Sequence, residues 1–270
     1  MTEVARKTLS REGPSADPAD RQSREEEAGF GGILLERWVE RPDGQMEQLL
    51  IPLTPEDYLN PRFGDKWLQG RPHSEVTPDL ADRLRRWFKP RREVLVLNDV
   101  RHKLGPGLPN PSPDVSVIVG ARNPALDLRT YDVVKQGVAP ALIIEVISPI
   151  DARIRRVDEE DKVRHYQRAG VREYLLVRIP RPFPGPFEIF GYRLDAAGTY
   201  QPLVPDAAGR LQCETLGLWF FLSPERDRLV IRDVATGEVL RSSQQEEEER
   251  KRAEAEIVRL RAELERLRKT

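Results

Sequence analysis

Hydrophobic and polar positions divide the chain into three stretches of different character. Up to about residue 28 the sequence is rich in Arg, Glu, Asp, Ser and Pro and nearly free of aliphatic residues. Such a stretch buries too little apolar surface to offset the entropy of ordering, so residues 1–28 are expected to be a disordered extension. From 29 to 242, short apolar runs alternate with polar turns. Ile33–Val39 and Gln45–Ile51 flank Pro42-Asp43-Gly44, which reads as a β-hairpin. Thr77–Phe88 carries Leu80, Leu84 and Trp87 behind a Thr-Pro start, the spacing of an amphipathic helix. Glu93–Leu97, Asp114–Val119 and Ala141–Ile147 are rich in Val, Ile and Leu and short enough for strands. Val157–Ala169 reads as a helix stopped by Gly170, with Glu173–Val177 as the strand that follows. Segments 187–194, 199–204, 215–222 and 228–232 read as further short strands between Pro, Gly and Asp turns. This order predicts an α/β (α+β) fold, a mixed β-sheet flanked by helices.

From 243 to 270 the composition turns strongly helical, and Ala253, Ile257, Leu260, Leu264 and Leu267 recur at four-three-four-three spacing. That is a heptad seam of only about two repeats, short for a self-sufficient coiled coil. Two readings stay open: a solvated terminal helix resting on the domain, or a helix that pairs with a second copy or a partner protein.

Composition narrows the class. The chain has 270 residues, 39% hydrophobic and 33% charged, which suits a soluble globular protein with polar extensions. No apolar run approaches the roughly 18–20 residues that a membrane span needs. The first residues lack an apolar segment of secretory type, so a cytoplasmic protein is expected. A single cysteine, Cys213, excludes an internal disulfide framework and cysteine-rich zinc modules. Lys and Arg total 44 against 45 for Asp and Glu, a net charge of −1. A dedicated DNA-binding domain is usually basic; an enzyme that cuts DNA needs only a local basic wall.

Candidate chemistry lies in the middle of the chain. In Leu142–Ile147 every residue but Glu145 is apolar, the mark of a strand buried on both faces. A carboxylate there is costly unless it pairs with a base or binds a cation. Asp114 opens another apolar strand after the turn Asn110-Pro111-Ser112-Pro113. Two carboxylates on neighbouring core strands suit a hard, oxygen-preferring ion such as Mg²⁺. In the helix that follows, Lys162 stands four residues before Tyr166, so both share the face bordering its buried stripe. An ordinary ion pair from Asp158 to a solvated Lys162 explains the same spacing. The histidines, His73, His102 and His165, have no zinc or HNH-type spacing; His73 and Glu75, at the start of the first helix, could approach the site, and read equally well as surface residues before a helix. Arg83, Arg85, Arg86, Lys89, Arg91 and Arg92, with Arg153, Arg155 and Arg156, are local basic clusters that could meet a phosphate backbone or simply face water.

Taken together, PDVSVIV, PALIIEVISP and DEEDKVRHYQRAGVREYLLV resemble the Uma-two family of bacterial restriction endonucleases. Asp158, Lys162, Tyr166, Ala169, Gly170, Val171, Glu173 and Tyr174 fall where that family's pattern puts them, over about residues 113–178. The segments GYRLDAAGTYQPL, ETLGLWF and RDVATGEVL look like the same family. The resemblance implies a restriction-endonuclease-like PD-(D/E)XK fold with a C-terminal extended helix, and metal-dependent cleavage of DNA phosphodiester bonds. Asp114 and Glu145 take the places of the motif's two acids. The standard motif then has a lysine where this chain has Ile147, and the family pattern supplies it from the next helix as Lys162. Asp114, Glu145 and the backbone carbonyl of Val146 would hold Mg²⁺, with Mn²⁺ as a substitute, and Lys162 would orient the attacking water. DNA is the implied partner. Two alternatives remain: an inactive or weak nuclease fold that serves as a binding module, and a two-carboxylate hydrolase of glycosidase type.

Overall fold

In the computed structural model, residues 33–67, 71–121, 129–147, 152–180 and 185–268 are described. The expected extension at 1–28 lies outside them, as do the Ser148-Pro149 end of the family motif and Asp151.

The expected hairpin forms, shifted by one residue: β1 (Leu34–Glu40) pairs antiparallel with β2 (Met46–Pro52). Gly44 takes a positive φ of 79° at its turn, where Asp43 Oδ1 accepts the Gln45 N–H. A short helix, α1 (Pro55–Leu59), follows, capped by the Thr54 side chain, and β3 (Lys66–Trp67) returns to pair with β1. The small sheet β2-β1-β3 buries Leu35 and Leu53 against Ile154 and Val157.

The next helix, α2, spans Arg71–Phe88, six residues earlier than the Thr-Pro signal suggested. Pro78 is tolerated inside it, and the extra turn carries His73 into the interior. The strands β4 (Val94–Leu97), β5 (Arg101–Lys103), β6 (Val115–Val119) and β7 (Thr130–Asp132) come next, with β5 and β7 forming a parallel pair that the sequence pattern did not reveal. The turn helix α3 (Val133–Gln136) precedes β8 (Leu142–Ile147), which is buried along its whole length. The helix expected at 157–169 begins earlier, as α4 (Ala152–Arg156), a π-helical turn (Val157–Asp161) and α5 (Lys162–Arg168). It leads into β9 (Glu173–Arg178), β10 (Glu188–Leu194) and β11 (Tyr200–Pro202).

These strands form one sheet in the order β11-β10-β9-β8-β6-β4. Every neighbouring pair in it is antiparallel except β8 and β9. A parallel pair needs a crossover, and the α4-to-α5 segment is that crossover. One face of the sheet, with Leu142, Ile144 and Val146, packs on α2 and on the sheet of β12 (Leu211–Cys213), β13 (Leu218–Leu222) and β14 (Leu229–Asp233). The other face, with Ile143 and Ile147, packs under Tyr166 of α5. The expected mixed sheet flanked by helices is therefore present.

The C-terminal helix α6 (Ser243–Arg268) is tied down at its start, where Ser243 bonds Asp82 and Arg86 pairs with Glu246. Farther along, Ile257, Leu260, Leu264 and Leu267 are between 48% and 62% exposed. The seam does not rest on the domain. Among the described residues, no helix is long and apolar enough to cross a membrane.

Candidate functional site

Strand alternation places the two acids. β6 and β8 run antiparallel with Val115 opposite Ile144. Continued by one residue, that register sets Asp114 opposite Glu145, on one face of the sheet. The regular ladder ends there. The Pro113 carbonyl is taken by the Asp99 N–H, so the chain before β6 turns away from β8. The Asp114 side chain fills the gap, with Oδ2 accepting the Val146 N–H at 2.6 Å. Within a strand, a residue's N–H and C=O point to the same edge, so the Val146 carbonyl is also directed toward the gap.

Lys162 approaches from above. It is 2% exposed, and its Nζ lies 3.0 Å from Glu145 Oε1 and 2.8 Å from Asp158 Oδ1. The ion pair from Asp158 to Lys162 read from the sequence thus exists, but buried rather than in water. Tyr166, one turn on, donates its hydroxyl to Glu145 Oε1 at 2.8 Å. Tyr58 of α1 donates to Asp158 and lies beneath Lys162 Nζ, 4.4 Å from ring centroid to nitrogen. Tyr174 of β9 donates to the Asp158 backbone carbonyl. The π-helical turn holds Asp158, and such turns often sit at functional positions.

His73 completes the cluster. Its Nε2 is 3.0 Å from Asp114 Oδ1. Neither His73 nor Asp158 was singled out for a role from sequence. The helical start at Arg71 hid the first, and an ordinary i,i+4 pair hid the second. Asp99 is a third addition. It adopts a positive φ of 54° and shares the Asp114 environment, features that no residue pattern advertises.

The electrostatics describe a site with too much negative charge. Burial, with the Asp114 charge beside it, pushes Asp99 up to about 6. Burial raises the carboxyls of Glu145 and Asp158 as well; Lys162 opposes this, but Asp114 reinforces it in both. Burial alone would strip the proton from Lys162, yet Asp158 and Glu145 overcome it and hold the ammonium charged. His73 is likewise raised, with Asp114 outweighing its burial. Among the described residues, Lys162 faces Glu145 and Asp158, His73 faces Asp114, and Arg85 acts on Asp99 from farther away.

A cleft of about 800 Å³ opens beside the cluster, with Asp99, Asp114 and Tyr58 in its lining and the β1–β3 sheet as its wall. Its basic residues are Arg62, Lys66, Arg101 and Arg129, none of which belongs to the clusters expected from sequence. Of those clusters, Arg83 is buried and bonded to the Leu229 carbonyl and Asp79, Arg85 bonds the Val96 carbonyl, and Arg86 holds α6. They hold the fold together at the end of α2. His102 is also structural, enclosed between the Val100 carbonyl and Ser116.

No curated protein matches the chain. Among solved structures it is similar to "a putative nuclease belonging to DUF820" from Anabaena variabilis, at 18% identity and a TM-score of 0.34, over 64% of this chain and 82% of that one. A family model described as "Putative restriction endonuclease" matches residues 67–225, which contain Asp114, Glu145 and Lys162; the chain belongs to that family, Uma2.

Proposed function

We propose that this chain is a divalent-metal-dependent endonuclease that hydrolyses DNA phosphodiester bonds with Asp114, Glu145 and Lys162. The observation that carries the reading is the meeting of three elements at one sheet edge. Glu145 from β8 and Lys162 from α5 stand 3.0 Å apart, with Asp114 from the end of β6 bonded to the next residue of β8, beside an open cleft.

The donor set fits a hard cation. Asp114, Glu145 and the Val146 carbonyl offer only oxygen, and the Asp114 charge still raises the Glu145 and Asp158 carboxyls although Lys162 opposes it. Among the described residues, no group of three or more His, Cys, Asp or Glu side chains is placed to hold a metal ion. Mg²⁺ does not require one, because it uses one or two carboxylates and keeps several waters, and Mn²⁺ accepts similar oxygen donors. When bound, the ion would polarise the scissile phosphate and acidify a water.

The chain's own residues do the rest. Asp114 is fixed in direction by His73 and the Val146 amide. Lys162 supplies a compact positive charge where negative charge grows on the phosphate. Its contact with Glu145 supports a helix lysine serving in place of one at position 147. Ile147 itself is fully buried in the apolar cluster under Tyr166.

A second reading has one observation in its favour. Lys162 Nζ is shared by two buried carboxylates and a tyrosine ring, as a purely structural ammonium would be. On that reading the protein binds nucleic acid or protein without cutting. The test is plasmid nicking by purified protein with Mg²⁺ or Mn²⁺, beside D114N and K162A. Nicking lost in both variants supports the nuclease. Binding without nicking by the parent favours the second reading.

A further inference from the structure

Phe63 is 77% exposed at the rim of the cleft, the most exposed aromatic ring among the described residues. Its exposure is enforced. Asp65, two residues on, accepts the Arg62 N–H at 2.9 Å and a two-pronged pair from buried Arg37, at 2.8 and 2.6 Å. This bracing fixes the turn that carries the ring. One side of the ring has the Arg129 guanidinium at 5.0 Å from its centroid. Leu34, Leu50 and Trp67 extend an apolar wall inward from there, and Arg62, Lys66 and Arg101 stand beside them. The acids in the lining have other engagements: Asp65 holds Arg37, Glu36 accepts from Gln48, and Asp99 and Asp114 form the floor.

Apolar faces interleaved with cations match a nucleotide strand whose bases are free to stack. A duplex presents phosphates outward and keeps its base faces covered, so Phe63 would meet nothing suited to it. Stacking is tolerant of sequence, because every base has a π-face, and arginine adds to it. From this arrangement we infer that the cleft binds unpaired DNA, with a base stacked on Phe63 and the backbone along Arg62, Lys66 and Arg101 toward Asp114. The inference rests on the nuclease reading for its choice of ligand and specifies the substrate class.

The test is anisotropy of fluorescent single-stranded and duplex oligonucleotides of one sequence, titrated with the full-length protein in EDTA so that nothing is cut. The parent is expected to bind the single strand about tenfold more tightly than the duplex. F63A is expected to lose about tenfold in single-strand affinity and F63W to recover it, with duplex binding equal in all three. Equal or tighter duplex binding, no single-strand binding, or an F63A affinity equal to the parent's overturns the inference. The two readings fail separately. Phe63-dependent single-strand binding by a protein that never cuts removes the nuclease and leaves the cleft assignment. Single-strand binding and cutting by F63A at the parental affinity and rate do the reverse.

Discussion

His73 Nε2 stands 3.0 Å from Asp114 Oδ1, joining helix α2 to the edge of the central sheet through two buried side chains. With Oδ2 held by the Val146 amide, the carboxylate is fixed at both oxygens. H73A leaves one of them without its partner. The expected cost is about 1–3 kcal/mol of unfolding free energy, read by urea denaturation. On the proposed role of Asp114 as a metal ligand, removing its orienting partner is also expected to lower nicking about ten- to a hundredfold. Parental stability and nicking rate in H73A would show that His73 positions nothing.

The catalytic role proposed for Lys162 is separable from its role in the fold. K162A strands two buried carboxyl groups, Glu145 and Asp158, and is expected to destabilise the protein by about 3–5 kcal/mol. Neutralising those acids as well, in E145Q/D158N/K162M, is expected to restore most of the lost stability while nicking stays absent. Denaturation and nicking on the same preparations check this. A triple variant as unstable as K162A would mean that packing, not charge, governs the cluster.

Acid stability has a source away from the cleft. His102 is fully buried between the Val100 carbonyl and Ser116, and burial depresses it from 6.5 to about 4. The unfolded chain therefore binds a proton between those values that the folded chain refuses. The stability owed to neutral His102 is complete above about 6.5 and falls as pH drops toward 4. The loss is on the order of 3 kcal/mol across that window. H102N, less stable near neutral pH, is expected to show a flatter limb over the same range in thermal melts. A limb as steep as the parent's would assign the acid loss to other groups.

Apolar runs and turn residues revealed the strands. β6, β8 and β9 appear within about a residue of expectation because nearly every position in them is buried, and the β1–β2 hairpin because Pro42-Asp43-Gly44 marks its turn, although β2 has no buried residue. The start of α2 was hidden: Arg71 to Val76 is mostly polar, and Pro78 resembles a beginning when it lies inside. β5 and β7 are three residues each, too short for a repeat to register. In the site, Asp114 and Glu145 stood out as charges on apolar strands, and Lys162 through its spacing to Tyr166 and the family pattern. His73, Asp99 and Tyr58 reach the cluster through tertiary contacts between distant segments, and linear spacing carries no trace of that. Of the Arg83–Arg92 cluster, Arg85, Arg86, Lys89, Arg91 and Arg92 are exposed as a surface patch would be, and linear spacing did not reveal that Arg83 is buried or that Arg85 and Arg86 hold backbone and α6.

The carboxyl surplus makes metal binding measurable without catalysis. Asp114 stands among Glu145, Asp158 and Asp99, and its charge raises all three of their carboxyls. An ion that binds only the folded site stabilises it by mass action, by about 1.4 kcal/mol at ten times its dissociation constant. Mg²⁺ is therefore expected to raise the melting temperature in a saturable manner. D114N, which removes a charge but keeps much of the shape, is expected to melt at a temperature that Mg²⁺ leaves nearly unchanged. Ionic strength must be matched with monovalent salt, because screening alone relieves part of the repulsion. If the parent shows no shift beyond that control, or D114N shows the same one, the acids are a structural cluster that Lys162 and protonation suffice to balance. The metal-dependent mechanism then has no foothold at Asp114.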